Sequence, residues 1–302
     1  MQLERSETAS AVDRAVIERM VANEADMAYR RRVITIFEWL EPRDGDVILD
    51  GGCGRGFYLN FLRAVCDAEV WGVEFDAEIA AKAKRVHAGR RGIHVVRADL
   101  ERLPFAAARF DKAILSEVLE HVNDDVAALS SVADSMRPGG LIAITVPNAD
   151  YPFWWDPINK TLETVFHTRI RTGLLSGIWA NHVRLYTRAE LRRLVAAARL
   201  EIVEERAFTH HCFPFIHNLV YGLGKELLEA GMLPEGMAAA ADRYSVNGRR
   251  GSAWNPVNVG LRLFELFDRR NVMSEPEGRS TLNLCVLARV DAGRTAAAAG
   301  LR

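Results

Sequence analysis

The chain of 302 residues is nearly half apolar and has a formal charge of −1, with 39 basic and 40 acidic residues. This balance argues against a dedicated nucleic-acid-binding protein, which would carry a basic excess. Residues 1–10 are too polar for a secretory signal, and no apolar run approaches the ~18 residues of a transmembrane segment. We therefore expect a cytoplasmic protein with one large α/β domain and an elaboration.

Helical periodicity extends from about Ala11 to Leu40, within an N-terminal helical segment of residues 1–44. Strands and helices then alternate, which predicts a doubly wound, mostly parallel seven-stranded sheet (Rossmann-like) covered by helices on both faces. Strands are predicted at Val47–Asp50, Glu69–Glu74, Ile93–Arg97, Phe110–Ser116, Leu141–Val146, Leu200–Glu204 and Thr281–Val290. Helices are predicted at Phe57–Val65, Ala77–His87, Asp124–Met136 and Thr187–Ala198, with a turn at Arg137–Gly140.

Two long excursions interrupt this alternation, at residues 148–181 and 207–280. They separate the core into residues 45–147, a continuation at 182–206, and a final strand and tail at 281–302. Both excursions begin just after predicted strands and are too rich in large apolar residues for solvated loops. We predict that they form a lid over the carboxyl edge of the sheet.

A glycine-rich turn, Asp50-Gly51-Gly52-Cys53-Gly54-Arg55-Gly56, follows the first strand and opens a helix. Glycines there permit a tight turn and let a ligand lie against bare backbone. A dinucleotide site would have the spacing GxGxxG, but the third glycine is replaced by Phe57. An acidic residue at position 50 would also repel a pyrophosphate.

The stretch ILDGGCGRGFYL resembles the first motif of class I S-adenosylmethionine-dependent methyltransferases. The resemblance continues through GVEFD, RADLERLPF, FDKAILSEVLEHV and RPGGLIAITVPN, and closes with HVRLYTRAELRRLVAAARLEIVE. It covers about residues 45–205 and is similar to the small-molecule branch that includes ubiquinone-pathway enzymes. The implied cofactor is S-adenosylmethionine, bound by residues 45–147.

The resemblance also implies roles for the matching residues. Asp50 would face the cationic methionine end of the cofactor, with the backbone of Gly52, Gly54 and Gly56 beside it. Glu74 would accept hydrogen bonds from both ribose hydroxyls. Asp99 would bind the adenine amino group, with Leu100 as apolar cover, while Ser116 and Glu117 would line the methionine side and face the substrate.

His121 is the candidate general base, because an imidazole titrates near neutral pH; a structural role beside the active-site loop is the alternative. His167, His182, His210, His211 and His217 fall in or beside the excursions. The four cysteines have no metal-site spacing, and no HxH or HExxH pattern occurs, so we predict no metal.

The aromatic run Tyr151-Pro152-Phe153-Trp154-Trp155 follows the fifth strand, at the edge where ligands of such sheets bind. We predict that Tyr151, Trp154, Trp155 and His182 contact the methyl acceptor; packing of the excursion onto the core is the alternative for the aromatic residues. The apolar segment Phe213–Leu228 is expected to be a buried lid helix, with a weak contact to a membrane surface as the alternative.

These features predict methyl transfer to a small, apolar or aromatic acceptor on oxygen, nitrogen or carbon. Two rivals stay open at this point. One is a protein that binds S-adenosylmethionine without catalysis, and the other is a nicotinamide-dependent dehydrogenase. The oligomeric state is not readable from the sequence.

Overall fold

A seven-stranded sheet forms the centre of the molecule in the computed structural model, which describes residues 14–173, 175–214 and 254–291 and the single positions 234, 252 and 293. The strands run in the order β3-β2-β1-β4-β5-β7-β6. They are β1 Val47–Gly51, β2 Glu69–Glu74, β3 Ile93–Arg97, β4 Phe110–Ser116, β5 Met136–Pro147, β6 Leu200–Phe208 and β7 Asn283–Val290. Strands β1 to β5 pair in parallel, and β7 lies antiparallel between β5 and β6. The predicted mostly parallel sheet is confirmed.

Helices cover both faces of the sheet. They are α1 Arg14–Met20, α2 Met27–Leu40, α3 Phe57–Val65, α4 Ala77–Val86, α5 Asp125–Ser135, α6 Pro157–Phe166, α7 Arg188–Ala197 and α8 Pro256–Asp268. Helices α5 and α7 share one apolar core with the sheet, and α1, α2 and α3 share the opposite one. Because the helices occupy the faces, the carboxyl ends of the parallel strands are left to form a site at the sheet edge.

The N-terminal helix predicted from Ala11 to Leu40 is wrong in one respect, because it is interrupted between Met20 and Met27. The Asp26 carboxylate accepts hydrogen bonds from the backbone N–H groups of Ala28 and Tyr29, at 2.9 and 3.1 Å. It thereby caps a new helix at a point where apolar periodicity alone would continue the old one. Residues 11–13 lie outside the described residues.

The turn predicted at Arg137–Gly140 is also wrong, since β5 begins already at Met136. Its register with β4 shifts between the pairs Phe110–Met136 and Lys112–Leu141, so the glycine-containing residues form a bulge inside the strand. A bulge accommodates the extra residues while the ladder continues on both sides. The positive φ of Gly139, 75°, is the turn-like geometry that the sequence pattern indicated.

The first excursion, residues 148–181, packs beside the carboxyl edge of the sheet. Its aromatic residues Tyr151, Trp155 and Trp179 form a small core with Ala28 of α2 and Leu282, which precedes β7. Half of the second excursion, residues 207–280, falls outside the described residues, as does most of Phe213–Leu228. No described helix is long and apolar enough to cross a membrane. The four cysteines, all within the described residues, are free thiols.

Helix α7 begins with a capping box, as its sequence predicts. The Thr187 hydroxyl accepts a hydrogen bond from the Glu190 N–H, and the Glu190 carboxylate accepts one from the Thr187 N–H at 2.8 Å. Thr187→Ala should lower the free energy of unfolding by ~1 kcal/mol, because the Glu190 N–H at the helix end loses its side-chain acceptor. Chemical denaturation measures this change, and Thr187→Ser, which keeps the hydroxyl, is the control. Equal losses for alanine and serine would contradict the capping role.

Candidate active site

The glycine-rich turn lies between the carboxyl ends of β1 and β2. Gly52 and Gly54 have φ angles of +73° and +54°, a left-handed conformation that glycine adopts without strain. A side chain at Gly52 would collide with Val118, whereas the Cα of Gly54 faces open space. The Gly54 N–H donates to Glu74 Oε2 at 3.0 Å, and the Asp76 N–H donates to Oε1 at 2.9 Å. The predicted glycines and Glu74 are therefore neighbours in one cleft.

Asp50 lies on β1 one residue before the end of the strand and is only 2% exposed. Its Oδ2 has no hydrogen-bond partner among the described residues. Burial, with a smaller contribution from the nearby Glu74 carboxylate, raises the pKa of Asp50 to about 8. A buried carboxylate without a partner is costly, so this position favours a ligand that brings a hydrogen-bond donor or a positive charge.

Two carboxylates beside the glycine turn do not suit a pyrophosphate. Phe57, at the start of α3, is buried against Tyr29 of α2, with ring centroids 4.9 Å apart. The position that a dinucleotide fold reserves for a small residue is therefore filled by an aromatic ring. Two carboxylate acceptors instead fit a nucleoside whose other end is cationic.

Asp99 and Leu100 lie just beyond the carboxyl end of β3. The exposed Asp99 carboxylate accepts the Glu101 N–H at 2.9 Å and caps a short 3₁₀ turn over Leu100–Arg102. Leu100 is buried and belongs to the main apolar core. Asp99 thus caps this turn, and a ligand that contacts Asp99 would share its carboxylate with the Glu101 N–H.

Ser116 and Glu117 stand at the end of β4, within a polar network. The Tyr58 hydroxyl lies 3.1 Å from Ser116 Oγ, and the Thr145 hydroxyl donates to Glu117 Oε1 at 3.0 Å. Glu117 Oε2 lies 3.2 Å from an Arg32 guanidinium nitrogen. Glu117 has a φ of +55°, a strained conformation for a non-glycine residue that recurs at functional sites.

The side chains of Glu120, His121 and His182 come together next to this network. Glu120 is fully buried, and neither carboxylate oxygen has a hydrogen-bond partner among the described residues. His121 Nε2 and His182 Nε2 lie 3.8 and 3.9 Å from Glu120 Oε1, beyond hydrogen-bond reach. Burial, and then the charge of Glu117, raise the pKa of Glu120 well above its usual range.

Residues 181–186 hold this cluster in place through hydrogen bonds to the loop after β4. The Val183 N–H donates to the Glu120 carbonyl at 2.9 Å, and the Tyr186 hydroxyl donates to the Leu119 carbonyl at 3.1 Å. His121 Nδ1 lies 2.9 Å from the Asn181 carbonyl oxygen. A carbonyl only accepts, so Nδ1 carries the proton and Nε2 keeps a free lone pair.

The aromatic residues predicted to contact the acceptor divide into two groups. Tyr151 and Trp155 are buried, and the Tyr151 hydroxyl donates to Glu163 at 2.7 Å. This burial fits the packing alternative for both residues. Trp154 is 57% exposed and packs edge-on against Phe153.

A cavity of about 740 Å³ lies next to the first excursion, lined by residues that include Glu163, His167, Arg169 and Trp179. The Arg169 guanidinium covers the Trp179 ring at 3.9 Å from the centroid. None of its lining residues belongs to the glycine turn or its carboxylates. The cavity is therefore separate from the cleft that contains Asp50 and Glu74.

Sequence reasoning missed Arg32, Tyr58, Thr145 and Glu120. Arg32 is buried on α2, and it ends the run Arg30-Arg31-Arg32 in a helix that is otherwise largely apolar. That run was the available signal, because arginine is almost never fully buried without a partner. Glu120 precedes the predicted His121, but its burial depends on packing that no local pattern reveals.

The region that matches known proteins lies in the core of the sheet. Residues 49–144 match the family described as "Methyltransferase domain". The O-methyltransferase cnsE of Penicillium expansum is 33% identical over 132 residues, which are 42% of this chain and 47% of that protein. A malonyl-[acyl-carrier protein] O-methyltransferase of Pseudescherichia vulneris is 37% identical over 98 residues, 32% of this chain and 38% of that protein. The chain thus spans less than half the length of these relatives.

A solved structure shares the fold over most of the chain. It is an S-adenosylmethionine-dependent methyltransferase from Mesorhizobium loti, with a TM-score of 0.51 and 19% identity, covering 86% of this chain and 97% of that one. The sheet order, the glycine turn with its carboxylates and the family match agree. Residues 49–144 of this chain therefore match the methyltransferase-domain family, and they lie within a fold that a solved S-adenosylmethionine-dependent methyltransferase shares.

Proposed function

We propose that this chain transfers a methyl group from S-adenosylmethionine to an oxygen atom of a small, apolar or aromatic acceptor. The observation that carries the proposal is the cleft in which Asp50, Glu74 and the turn around Gly54 meet at the carboxyl edge of the sheet. The relatives named O-methyltransferases support oxygen as the methylated atom. The dehydrogenase alternative is set aside, because Phe57 and two carboxylates are unsuited to a pyrophosphate.

In this proposal, residues at the ends of three strands, β1, β2 and β3, hold the cofactor. Glu74 exchanges its hydrogen bond with Gly54 for bonds from the ribose hydroxyls, and Asp99 accepts from the adenine amino group above Leu100. Asp50 provides the negative charge for the methionine end, next to Gly52. Each of these acceptors sits at a different strand end, so the fold fixes their spacing before the ligand arrives.

The acceptor side is formed by the loop after β4 and the first excursion. Ser116 and Glu117 are fixed by Tyr58, Thr145 and Arg32, so they shape the cleft and stay in place during the reaction. His121 is exposed on the outer side and has a free Nε2 lone pair. Trp154 of the first excursion is the most exposed aromatic residue of the run Tyr151–Trp155, so it is the one best able to cover an apolar acceptor.

S-adenosylmethionine, when bound, supplies a methyl group on a sulfonium, which is a good leaving group. The protein's contribution is therefore mainly to align the acceptor with that methyl group and to exclude water. An oxygen acceptor must also lose its proton. A group with a free lone pair near the acceptor, such as His121 Nε2, is needed to help that loss.

Turnover is the direct test. The full chain should convert S-adenosylmethionine to S-adenosylhomocysteine when a panel of small hydroxylated aromatic compounds is supplied, and mass spectrometry should find the methyl group on oxygen. Cofactor binding without transfer to any compound of the panel would favour a binding protein, because one fold supports many activities. Methylation on nitrogen or carbon would contradict the choice of oxygen.

Glu74→Gln should weaken S-adenosylmethionine binding by roughly 10- to 150-fold, because charge-assisted hydrogen bonds contribute about 1.5–3 kcal/mol. The amide oxygen still accepts the Gly54 N–H, so the turn should stay folded. Calorimetric titration measures the affinity, and circular dichroism checks the fold. Glu78→Gln, an exposed glutamate in the first turn of α4, is the matched control. Equal affinities of the Glu74 and Glu78 variants would refute the ribose assignment.

Cofactor binding should release a proton from Asp50. Its pKa of about 8 in the free protein leaves the carboxyl mostly protonated at pH 7, and a nearby cation favours the ionised form. Affinity should therefore rise with pH up to about 8. Calorimetry at pH 7 in two buffers of different ionisation enthalpy measures the released proton. Asp50→Asn should bind more weakly with heats that do not depend on the buffer.

The same group makes the free protein less stable as the pH rises. The folded chain keeps the Asp50 proton up to about pH 8, whereas the unfolded chain loses it near the ordinary value of 3.8. Between these values the folded state binds more protons, so its stability falls with rising pH. Asp50→Asn should flatten this part of the curve in thermal unfolding. An unchanged pH profile would mean that Asp50 is ionised in the free protein.

A further inference from the structure

We propose that Glu120, His121 and His182 form a binding site for a divalent transition-metal ion of the zinc class. The sequence analysis predicted no metal, because no short metal-binding spacing occurs. The three residues are brought together instead by the pairing of residues 181–186 with the loop after β4. Within the described part of the chain, this is the one such group of three metal-ligating side chains.

The distances suit a shared ion. One carboxylate oxygen and two imidazole nitrogens all lie within 4.8 Å of one another. Ligand atoms around tetrahedral zinc lie ~3.3 Å apart, so small side-chain rotations would close the gaps. The two imidazole rings are 4.7 Å apart at their centroids and inclined by 64°, which directs both Nε2 atoms towards Glu120.

The hydrogen bonding of His121 points to a ligand. Its Nδ1–H donates to the Asn181 carbonyl at 2.9 Å, which leaves Nε2 as the atom with the lone pair. Metal-bound histidines usually donate their other ring N–H to a carbonyl or carboxylate in this way. The bond fixes both the tautomer and the direction of the ring.

Glu120 supplies an independent observation. Its side chain is fully buried and lies between the two histidines, yet neither oxygen has a hydrogen-bond partner among the described residues. The charged groups that face it are Glu117, whose own charge is paired with Arg32, and the two imidazoles. An ion between the three side chains would supply the missing partner for this carboxylate.

The chemistry of the ligand set selects the class of ion. Two imidazoles and one carboxylate suit zinc and its first-row neighbours, whereas magnesium and calcium prefer oxygen ligands. Three protein ligands leave a coordination position open, as in catalytic zinc sites. His121 is exposed, so the open position can be reached from solvent.

The role of the ion rests on the proposed O-methyl transfer. An acceptor hydroxyl bound at the open position would have a lowered pKa and would release its proton to solvent. The oxygen would then form its bond to the methyl carbon as the carbon–sulfur bond breaks, with the electron pair of that bond leaving on sulfur. His121 would serve as a ligand and would not be the general base.

Direct metal binding tests the site without reference to activity. The full chain, freed of metal with a chelator, is titrated with Co²⁺ under visible spectroscopy and with Zn²⁺ under calorimetry. We expect one ion per chain, absorption bands of a nitrogen- and oxygen-ligated cobalt ion, and a higher melting temperature with zinc. His121→Ala and His182→Ala should each weaken binding by at least 100-fold, while the variant His167→Ala, which changes an exposed histidine of the first excursion, should bind like the wild type.

The variant Glu120→Gln tests the metal site even if the two alanine variants fail to fold. The neutral amide removes a buried carboxyl, so the metal-free variant should melt no lower than the wild type, yet it should lose tight binding and the thermal shift with zinc. Absent binding in the wild type, or unchanged binding in Glu120→Gln, would overturn the proposal. S-adenosylmethionine binding to the metal-free chain is measured in parallel. If the chain binds the cofactor but no metal, the metal site is refuted and the proposed function is not. If it binds metal but no cofactor, the proposed function is refuted and the metal site is not.

Discussion

Carboxylates that are buried before any ligand arrives are the constraint on which this structure depends. Asp50 and Glu120 both have raised pKa values because burial disfavours their charged forms. Burying such groups lowers the stability of the folded protein unless a hydrogen bond or an opposite charge compensates for the lost solvation. The two positions differ in what they favour: Asp50 lies beside a bare glycine turn and Glu74, whereas Glu120 lies between two imidazole nitrogens. The buried carboxyls of Asp50 and Glu120 thus each favour a positively charged partner, at two separate places along one edge of the sheet.

The surrounding elements hold these groups in place. Helix α2 provides Arg32, which pairs with Glu117 and neutralises one of the acidic side chains of the cluster. The same helix is joined to α8 through Arg31, whose guanidinium binds the Asp268 carboxylate with one contact of 2.7 Å. Residues 181–186 connect the first excursion to the loop after β4. Elements that are remote in sequence therefore position the acceptor side, while short local turns position the cofactor side.

This difference explains what the sequence could and could not predict. The sheet, most helix bounds and the glycine turn after β1 follow from patterns within a few residues, such as a strand followed by glycines or a threonine three residues before a glutamate. The roles proposed for Asp50, Glu74 and Asp99 come from the family resemblance. The interruption of the N-terminal helix at Asp26 was missed, because apolar periodicity continues across it. The grouping of Glu120 and His121 with His182 was missed for another reason: 60 residues separate the two histidines, and only the tertiary pairing joins them. The aromatic run after β5 could be placed at the correct edge, but its division into buried Tyr151 and Trp155 and exposed Trp154 depends on packing.

We infer that Asp50, Glu74 and the glycine turn hold the nucleoside and the cationic end of S-adenosylmethionine. A crystal structure of the full chain with S-adenosylhomocysteine tests it most directly, because this product keeps the ribose, the adenine and the ammonium group. The account predicts both ribose hydroxyls within hydrogen-bond distance of the Glu74 carboxylate, in place of the Gly54 N–H, and the amino-acid end beside Asp50. A nucleoside bound elsewhere, with Glu74 still held by Gly54, would contradict it.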